Sequence, residues 1–194
     1  YKKESYKLSN LRKQSSQELD NLINKELPEL KLENARFETY FDNDIPTENG
    51  FDKVTFKIKT NPNSEMGSIK NVSSGGELCR IALAIKVIAQ KNSKTTMVFD
   101  EVDSGIGGAV STAVGERLKK LGNAKQVIVV THSPQVAAFG NNHFIVYKTV
   151  NNDESKINLR QLDKDQKVNE IARMLSGKET TSEAINAAKK LINE

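Results

Sequence analysis

Three short stretches hold the side chains best placed to do chemistry. The first is Met97-Val98-Phe99-Asp100-Glu101, an apolar run that ends in two adjacent acids. In a parallel sheet a buried strand delivers its last residues to the carboxyl edge, where such sheets bind ligands. Neighbouring side chains at a strand end point different ways, so the two carboxylates can take different tasks. Asp100 is suited to hold Mg²⁺ through water, because Mg²⁺ keeps much of its hydration shell. Glu101 is suited to orient and deprotonate an attacking water. The second stretch is Ser73-Ser74-Gly75-Gly76-Glu77. Two glycines let backbone N–H groups approach an anion with no Cβ in the way, and a helix that starts there presents its positive end. Ser74 and Glu77 also fit a capping box. A cap does not explain two successive glycines, each costing roughly 1 kcal/mol if placed inside a helix. The third is Thr131-His132-Ser133-Pro134, which follows the apolar run Val127 to Val130. A histidine there shares an edge with Asp100 and Glu101 and could donate to a phosphate oxygen. Taken singly, the acids read as a strand leaving into an acidic loop, the serine as a cap and the histidine as structural. Taken together they fit strand ends and a helix start that all face a nucleotide phosphate. His143, on an expected strand, is given no role.

The elements that would carry these groups follow from periodicity. Tyr1 to about Glu26 has helical composition, with a seam of Leu8, Leu11, Ser15, Leu19 and Leu22 that a partner helix could cover. Pro28 ends it. Ala35 to Phe41 and Asp52 to Lys59 alternate with period two around a turn-rich Asp42 to Gly50, which predicts an antiparallel hairpin. Phe37, Val54, Phe56 and Ile58 would face inward, and Lys53, Lys57 and Lys59 would share the outer face, solvated or turned to DNA. Asn61 to Asn71 reads as loop. A helix is expected from Ser74 to about Gln90, with Leu78, Ile81, Ala82, Ile85 and Ile88 on its apolar side. Then come a strand at Thr95–Phe99, a helix at Gly108–Leu121, a strand at Gln126–Val130 and a short helix at Pro134–Phe139. Strands at Asn142–Lys148 and Lys156–Leu162 and helices at Lys167–Leu175 and Thr181–Ile192 close the chain. The alternation of helix and strand, with unbroken apolar runs, predicts an α/β fold with a mainly parallel sheet flanked by helices on both faces.

Composition sets the outer limits. The 194 residues are 37% hydrophobic and 28% charged, enough for one core plus an appendage in a soluble globular protein. No apolar run approaches membrane-spanning length and the first residues are too polar for a signal peptide, so neither a membrane partner nor export is expected. Cys79, the single cysteine, excludes an internal disulfide, suits a reducing cytoplasm and is expected to pack as an ordinary buried thiol. The net charge of +4, from 29 basic and 25 acidic residues, is compatible with a nucleic-acid partner without requiring one.

Ser74-Gly75-Gly76-Glu77 resembles the signature motif of the ABC-type ATPases, Asp100-Glu101 their Walker B motif and catalytic glutamate, and His132 their switch histidine. The wording S-S-G-G-E-L-C-R-I-A-L-A-I-K, F-D-E-V-D-S-G-I-G-G and T-H-S-P-Q-V-A-A is similar to the RecN family, bacterial SMC-like ATPases of DNA double-strand-break repair. The ending Glu170 to Gly177, E-I-A-R-M-L-S-G, and the helix that leads into the hairpin are similar too. The resemblance covers nearly the whole chain and implies the C-terminal lobe of an ATPase head at residues 28–194. Residues 1–27 would then be the end of a coiled-coil arm. It implies that Ser74, Gly75 and Gly76, followed by Glu77, meet the γ-phosphate of ATP bound on the opposite subunit. Asp100 would serve Mg²⁺, Glu101 act as base, and His132 steady the γ-phosphate of the subunit's own ATP. Asp103, Ser104 and Gly105 would form a loop meeting its counterpart across the dimer. Gly107 stands where many ABC ATPases carry aspartate, which removes any carboxylate contact from that point. Partners implied are the N-terminal head lobe, a second copy joined through an ATP sandwich, and DNA, as double-strand ends or single strands. A cytoplasmic, nucleoid-associated location is implied as well.

No phosphate-cradling loop of the form G-x-x-x-x-G-K-[ST] occurs in the sequence. The nearest approach, Gly177-Lys178-Glu179, has Ala172 where the first glycine belongs and no hydroxyl after the lysine, so Gly177 reads as a helix C-cap. The chain by itself is therefore expected to bind ATP weakly or not at all and not to hydrolyse it. Three other readings stand beside this one. A metal-dependent nuclease or topoisomerase-type domain would use Asp100, Glu101 and Asp103 as a cluster, but Glu38 and Asp52 are poor candidates for its further acid and Ser74 to Glu77 stay unexplained. A non-catalytic module would dimerise or bind DNA through its lysines. An ABC-type subunit of another SMC-like or transporter system is the nearest rival, though transporters usually carry glutamine where Glu77 stands.

Overall fold

The first helix, α1 (Lys2–Glu26), runs until Pro28 stops it and a 3-10 turn at Leu27–Leu30 takes over. Lys31, in the left-handed region at φ 57°, redirects the chain. A computed structural model describes residues 1–90, 95–151, 154–177 and 180–193, and within it the chain forms two compact units, Tyr1–Lys94 and Thr95–Glu194.

In the first unit β1 (Arg36–Thr47) and β2 (Gly50–Lys59) form the expected antiparallel hairpin, with Phe37 opposite Ile58. The short β3 (Gly67–Ser68) adds to the outer side of β2. Gly50 closes the hairpin at φ +93°, a conformation that L side chains rarely adopt. α1 lies on the face that carries Phe37 and Ile58, and polar side chains fasten it there. Asn24 exchanges hydrogen bonds with the backbone of Phe37, at 2.8 and 2.9 Å. The Asp20 carboxylate accepts from the N–H and the hydroxyl of Thr39. Asp52 accepts from the Ser9 hydroxyl and the Arg12 guanidinium at 2.8 and 3.0 Å.

Two expectations about faces need correcting here. The buried stripe of α1 is Ser5, Ser9, Ser16 and Ile23, while Leu11 is 54% exposed. Of the expected seam Leu11 and Ser15 are exposed, while Leu8, Leu19 and Leu22 are half-buried at the edge of the contact, with Leu8 Cδ2 against Gly50 of the hairpin. On the hairpin Phe37 and Ile58 are buried as expected, but Val54 and Phe56 are exposed. Lys53, Lys57 and Lys59 do share the opposite face; they pair with Asp42, Glu38 and Arg36, and Lys57 lies 3.5 Å over the Tyr40 ring.

α2 (Gly75–Ala89) packs through Gly76, Arg80, Ile81, Leu83, Ala84 and Val87. Of the expected apolar side only Ile81 is buried; Leu78 and Ala82 are exposed, and Ile85, Ile88 and Cys79 are half-buried. Arg80 decides the rotation. Its guanidinium donates to the carbonyls of Leu30 and Lys31, both at 2.8 Å, and to that of Gly76 at 3.1 Å, so it supplies donors to the carbonyls left open where the 3-10 turn ends. Burial pushes its pKa below the usual arginine range, with Glu77 and Glu33 working in the opposite direction.

The second unit opens with β4 (Met97–Asp100), followed by α3 (Gly108–Gly122), β5 (Val127–Val130) and the short α4 (Pro134–Ala138). β6 (Phe144–Asn151) and β7 (Glu154–Gln161) form a second hairpin, and α5 (Lys164–Ser176) and α6 (Ser182–Asn193) close the chain. The two helices enclose a core of Ala138, Ile171, Ala172, Ala184 and Ala188. β4 and β5 pair in parallel, as expected, but among the described residues theirs is the one parallel ladder; the other two sheets are antiparallel. Met97 and Phe99 are buried beneath it, whereas Val98, Ile128 and Val130 are about half exposed, at 51, 48 and 53%. The apolar runs that predicted cover on both faces thus have cover on one. Gly177 ends α5 as the expected C-cap, its N–H on the Arg173 carbonyl at 2.8 Å; Lys178 and Glu179 lie outside the described residues.

Candidate functional site

The acids and the histidine come together through the parallel register. Asp100 pairs with Val130, so Glu101 and Thr131 leave the ladder side by side. The Glu101 N–H adds one more rung by donating to the Val130 carbonyl at 3.0 Å. Past that rung the chain must turn at once, and Glu101 takes up φ +48° to do so. For a residue with a Cβ the left-handed region costs on the order of 1 kcal/mol, and such strain gathers at functional sites. The turn closes when the Ser104 N–H donates back to the Glu101 carbonyl at 2.9 Å. Asp100, Glu101 and His132 all stand exposed at this edge. On the β5 side Ser133 caps α4, its hydroxyl accepting from the Val136 N–H, with Pro134 in the first turn.

The expected loop of Asp103, Ser104 and Gly105 divides. Ser104 and Gly105 are exposed, but Asp103 is 1% exposed and points inward. One of its oxygens, Oδ2, accepts from the Thr131 hydroxyl at 2.5 Å and from the Ser133 N–H at 3.0 Å. The other, Oδ1, is buried with no hydrogen-bond partner among the described residues. The exposed part of the expected dimer loop is thus Ser104 and Gly105, with Asp103 turned toward Thr131 and Ser133. So turned, Asp103 does not join Asp100 and Glu101 in a carboxylate cluster. Among the described residues no three His, Cys, Asp or Glu side chains are grouped to hold a metal ion. A single exposed carboxylate at Asp100 does fit a hard cation that keeps most of its waters.

Ser74 to Glu77 lie in the first unit. Ser74 is the N-cap of α2, its hydroxyl accepting from the Glu77 N–H at 3.3 Å. Ser73, Ser74 and Gly75 are exposed. A Cβ added to Gly75 would meet nothing within 4 Å, and its φ is not positive. Neither packing nor backbone conformation requires glycine there. The cavity beside this loop, lined by Lys59, Ser68, Asn71, Ser73 and Glu77 among others, holds about 160 Å³. Ligand pockets begin at roughly 300 Å³. Thr131 is the residue that sequence reasoning passed over. A hydroxyl directly after a strand, beside the exit of an acidic one, was the available signal.

No family model matches the sequence. Among curated proteins, the DNA repair protein RecN of Rickettsia conorii is 42% identical over 176 residues, 90% of this chain and 32% of that one. RecN of Rickettsia typhi is 40% identical over 195 residues, covering 100% of this chain and 35% of its own, and RecN of Bacillus subtilis is 35% identical over 208, covering 98% and 36%. The chain thus spans about a third of the length of the curated relatives it matches. Of solved structures, a chain from work on ATP-driven dimerization and DNA-stimulated activation of SMC ATPases superposes with a TM-score of 0.63 at 18% identity, over 88% of this chain and 98% of that one. The Smc head domain with coiled coil and joint from Pyrococcus yayanosii gives 0.62 at 16% identity, over 93% and 30%. The fold is that of SMC heads.

Proposed function

We propose that this chain, related along its length to about a third of a RecN DNA repair protein and folded as SMC heads are, is the C-terminal lobe of an ATPase head. The observation that carries the reading is the parallel β4–β5 pair, which brings Asp100, Glu101 and His132 to one exposed edge. The phosphate loop would come from the N-terminal lobe of the complete protein. Asp100 would hold Mg²⁺ through water, and the ion would supply positive charge against the γ-phosphate of ATP. As the water oxygen attacks the γ-phosphorus and the bond to the bridging oxygen breaks to release ADP, Glu101 takes the proton of that water on its carboxylate. His132 donates from its ring to the γ-phosphate. Ser74, Gly75 and Gly76, with Glu77 closing the cap behind them, present a hydroxyl and backbone N–H groups to the γ-phosphate bound on a second copy.

In this scheme two heads enclose two ATP molecules, and Ser104 and Gly105 meet their counterparts across the dimer. ATP closes the clamp and hydrolysis opens it. DNA, at double-strand ends or as single strands, is the substrate it acts on, and the bacterial cytoplasm at the nucleoid is where it works. α1 continues as a coiled-coil arm. The inward position of Asp103 supports this reading over a carboxylate-cluster nuclease.

Glu101→Gln in the complete protein tests it. ATP turnover is expected to fall by about 10²- to 10⁴-fold, the range general-base removal gives. ATP-dependent dimers, followed by light scattering, are expected to persist. Turnover within twofold of the unmodified protein would remove Glu101 as the base.

A further inference from the structure

We infer that Asp103 is a positioning residue that locks the His132 loop to the turn carrying Glu101, so that the two groups move as one unit. The inference rests on the proposed roles of Glu101 and His132, but its geometry does not. His132 is exposed and its own side chain does not fix it in place by burial. What is fixed is its two neighbours. Thr131 Oγ1 and the Ser133 N–H, on either side of it, both donate to the same oxygen of Asp103. The Ser133 N–H is shared with Thr131 Oγ1 at 2.9 Å, which closes a three-membered network around the histidine's backbone. Asp103 is itself held two residues after Glu101 in the turn that Ser104 and Glu101 close, with the Ile106 N–H donating to its carbonyl at 3.3 Å.

A carboxylate suits this task better than an amide or a hydroxyl. Both donors converge on one oxygen, and an acceptor with full negative charge strengthens both bonds. Its orphaned Oδ1 argues the same way. A buried oxygen without a partner lowers stability, so packing alone would favour a residue without it, and such groups call for an explanation. The link runs between loops that follow two different strands, 28 residues apart in sequence. Without it the last shared point of the two loops would be the backbone rung from Glu101 to Val130.

Thr131→Val tests the link with little change of shape, and Asp103→Asn tests it from the other side. The chain has two histidines, so its imidazole ¹H–¹³C spectrum contains two sets of ring signals, and His143 serves as the internal control. In both variants the His132 ring signals are expected to shift and broaden while those of His143 stay put, and Thr131→Ser, which keeps the hydroxyl, is expected to return them to the native positions. In the complete protein Thr131→Val is expected to lower kcat about tenfold with KM for ATP within twofold. Unchanged His132 signals in folded Thr131→Val and Asp103→Asn chains would overturn the inference. Shifted signals with native turnover would keep the link and overturn its coupling to Glu101. Absence of ATP hydrolysis in the unmodified complete protein would instead count against the ATPase reading, with the spectra still deciding the link.

Discussion

Glu101 combines an exposed carboxylate with a backbone that pays for its position at φ +48°. Glycine adopts that region freely, so Glu101→Gly is expected to stabilise the chain by about 0.5–1 kcal/mol in urea unfolding while removing the proposed base. A loss of stability would show that the turn is not strained. Arg80 is the opposite case, a charged side chain that the fold needs. Arg80→Met strands the Leu30 and Lys31 carbonyls, and unfolding free energy is expected to drop by about 3 kcal/mol. A drop under 1 kcal/mol would mean that water reaches those carbonyls. Asp100, Glu101 and His132 were legible in the sequence because an uninterrupted apolar run fixes where a strand ends. Arg80 and Asp103 were not, since a charged residue reads as solvated by default. Their partners lie 28 to 50 residues away, where no local pattern reaches.

At the scale of elements, periodicity located the helices and hairpins but not the faces they bury. α1 buries serines most deeply and leaves Leu8, Leu19 and Leu22 half-buried beside them, and α2 turns to bury Arg80. In each case the choice belongs to the neighbour, a hairpin whose strands offer polar anchors or a turn whose carbonyls need donors. Strand pairing was legible for β4 and β5, where the apolar runs are continuous, and for β1 and β2, where alternating runs bracket a turn, and less so for β6 and β7, because ladder direction depends on the connections. Helix contacts in the second unit give two tests. A Cβ on Gly115 would lie 2.3 Å from Phe139 Cδ2, so α3 and α4 meet through that glycine. Gly115→Ala is expected to cost about 1–3 kcal/mol in thermal or urea unfolding. His143 is half-buried, and burial, aided by Lys167 and opposed by Glu170, lowers its pKa below the usual 6.5. The fold thus resists a proton that the unfolded chain takes up near 6.5. Its contribution is complete above that pH and is lost as pH falls below it. The urea midpoint of the native chain is expected to fall between pH 7.5 and 5.5, and more steeply than that of His143→Gln. Parallel pH profiles would show that His143 titrates alike in both states.

For the whole molecule the proposed reading is of one lobe of an ATPase head. The chain spans about a third of its RecN relatives, carries no G-x-x-x-x-G-K-[ST] loop, and leaves the outer apolar face of β4 and β5 half exposed. Those three facts agree with a lobe that finishes its site on another part of a longer protein. The absent phosphate loop was visible in the sequence; the half-covered ladder was not, because a continuous apolar run reads the same whichever chain segment covers it. The most direct measurement is calorimetric titration of Mg-ATP into this chain alone and into the chain co-expressed with a lobe that carries a phosphate loop. The account predicts no measurable heat of binding from the chain alone, with binding and Glu101-dependent turnover restored by the second lobe. Tight binding by the chain alone would contradict it, and would place the phosphates somewhere other than the edge formed by Asp100, Glu101 and His132.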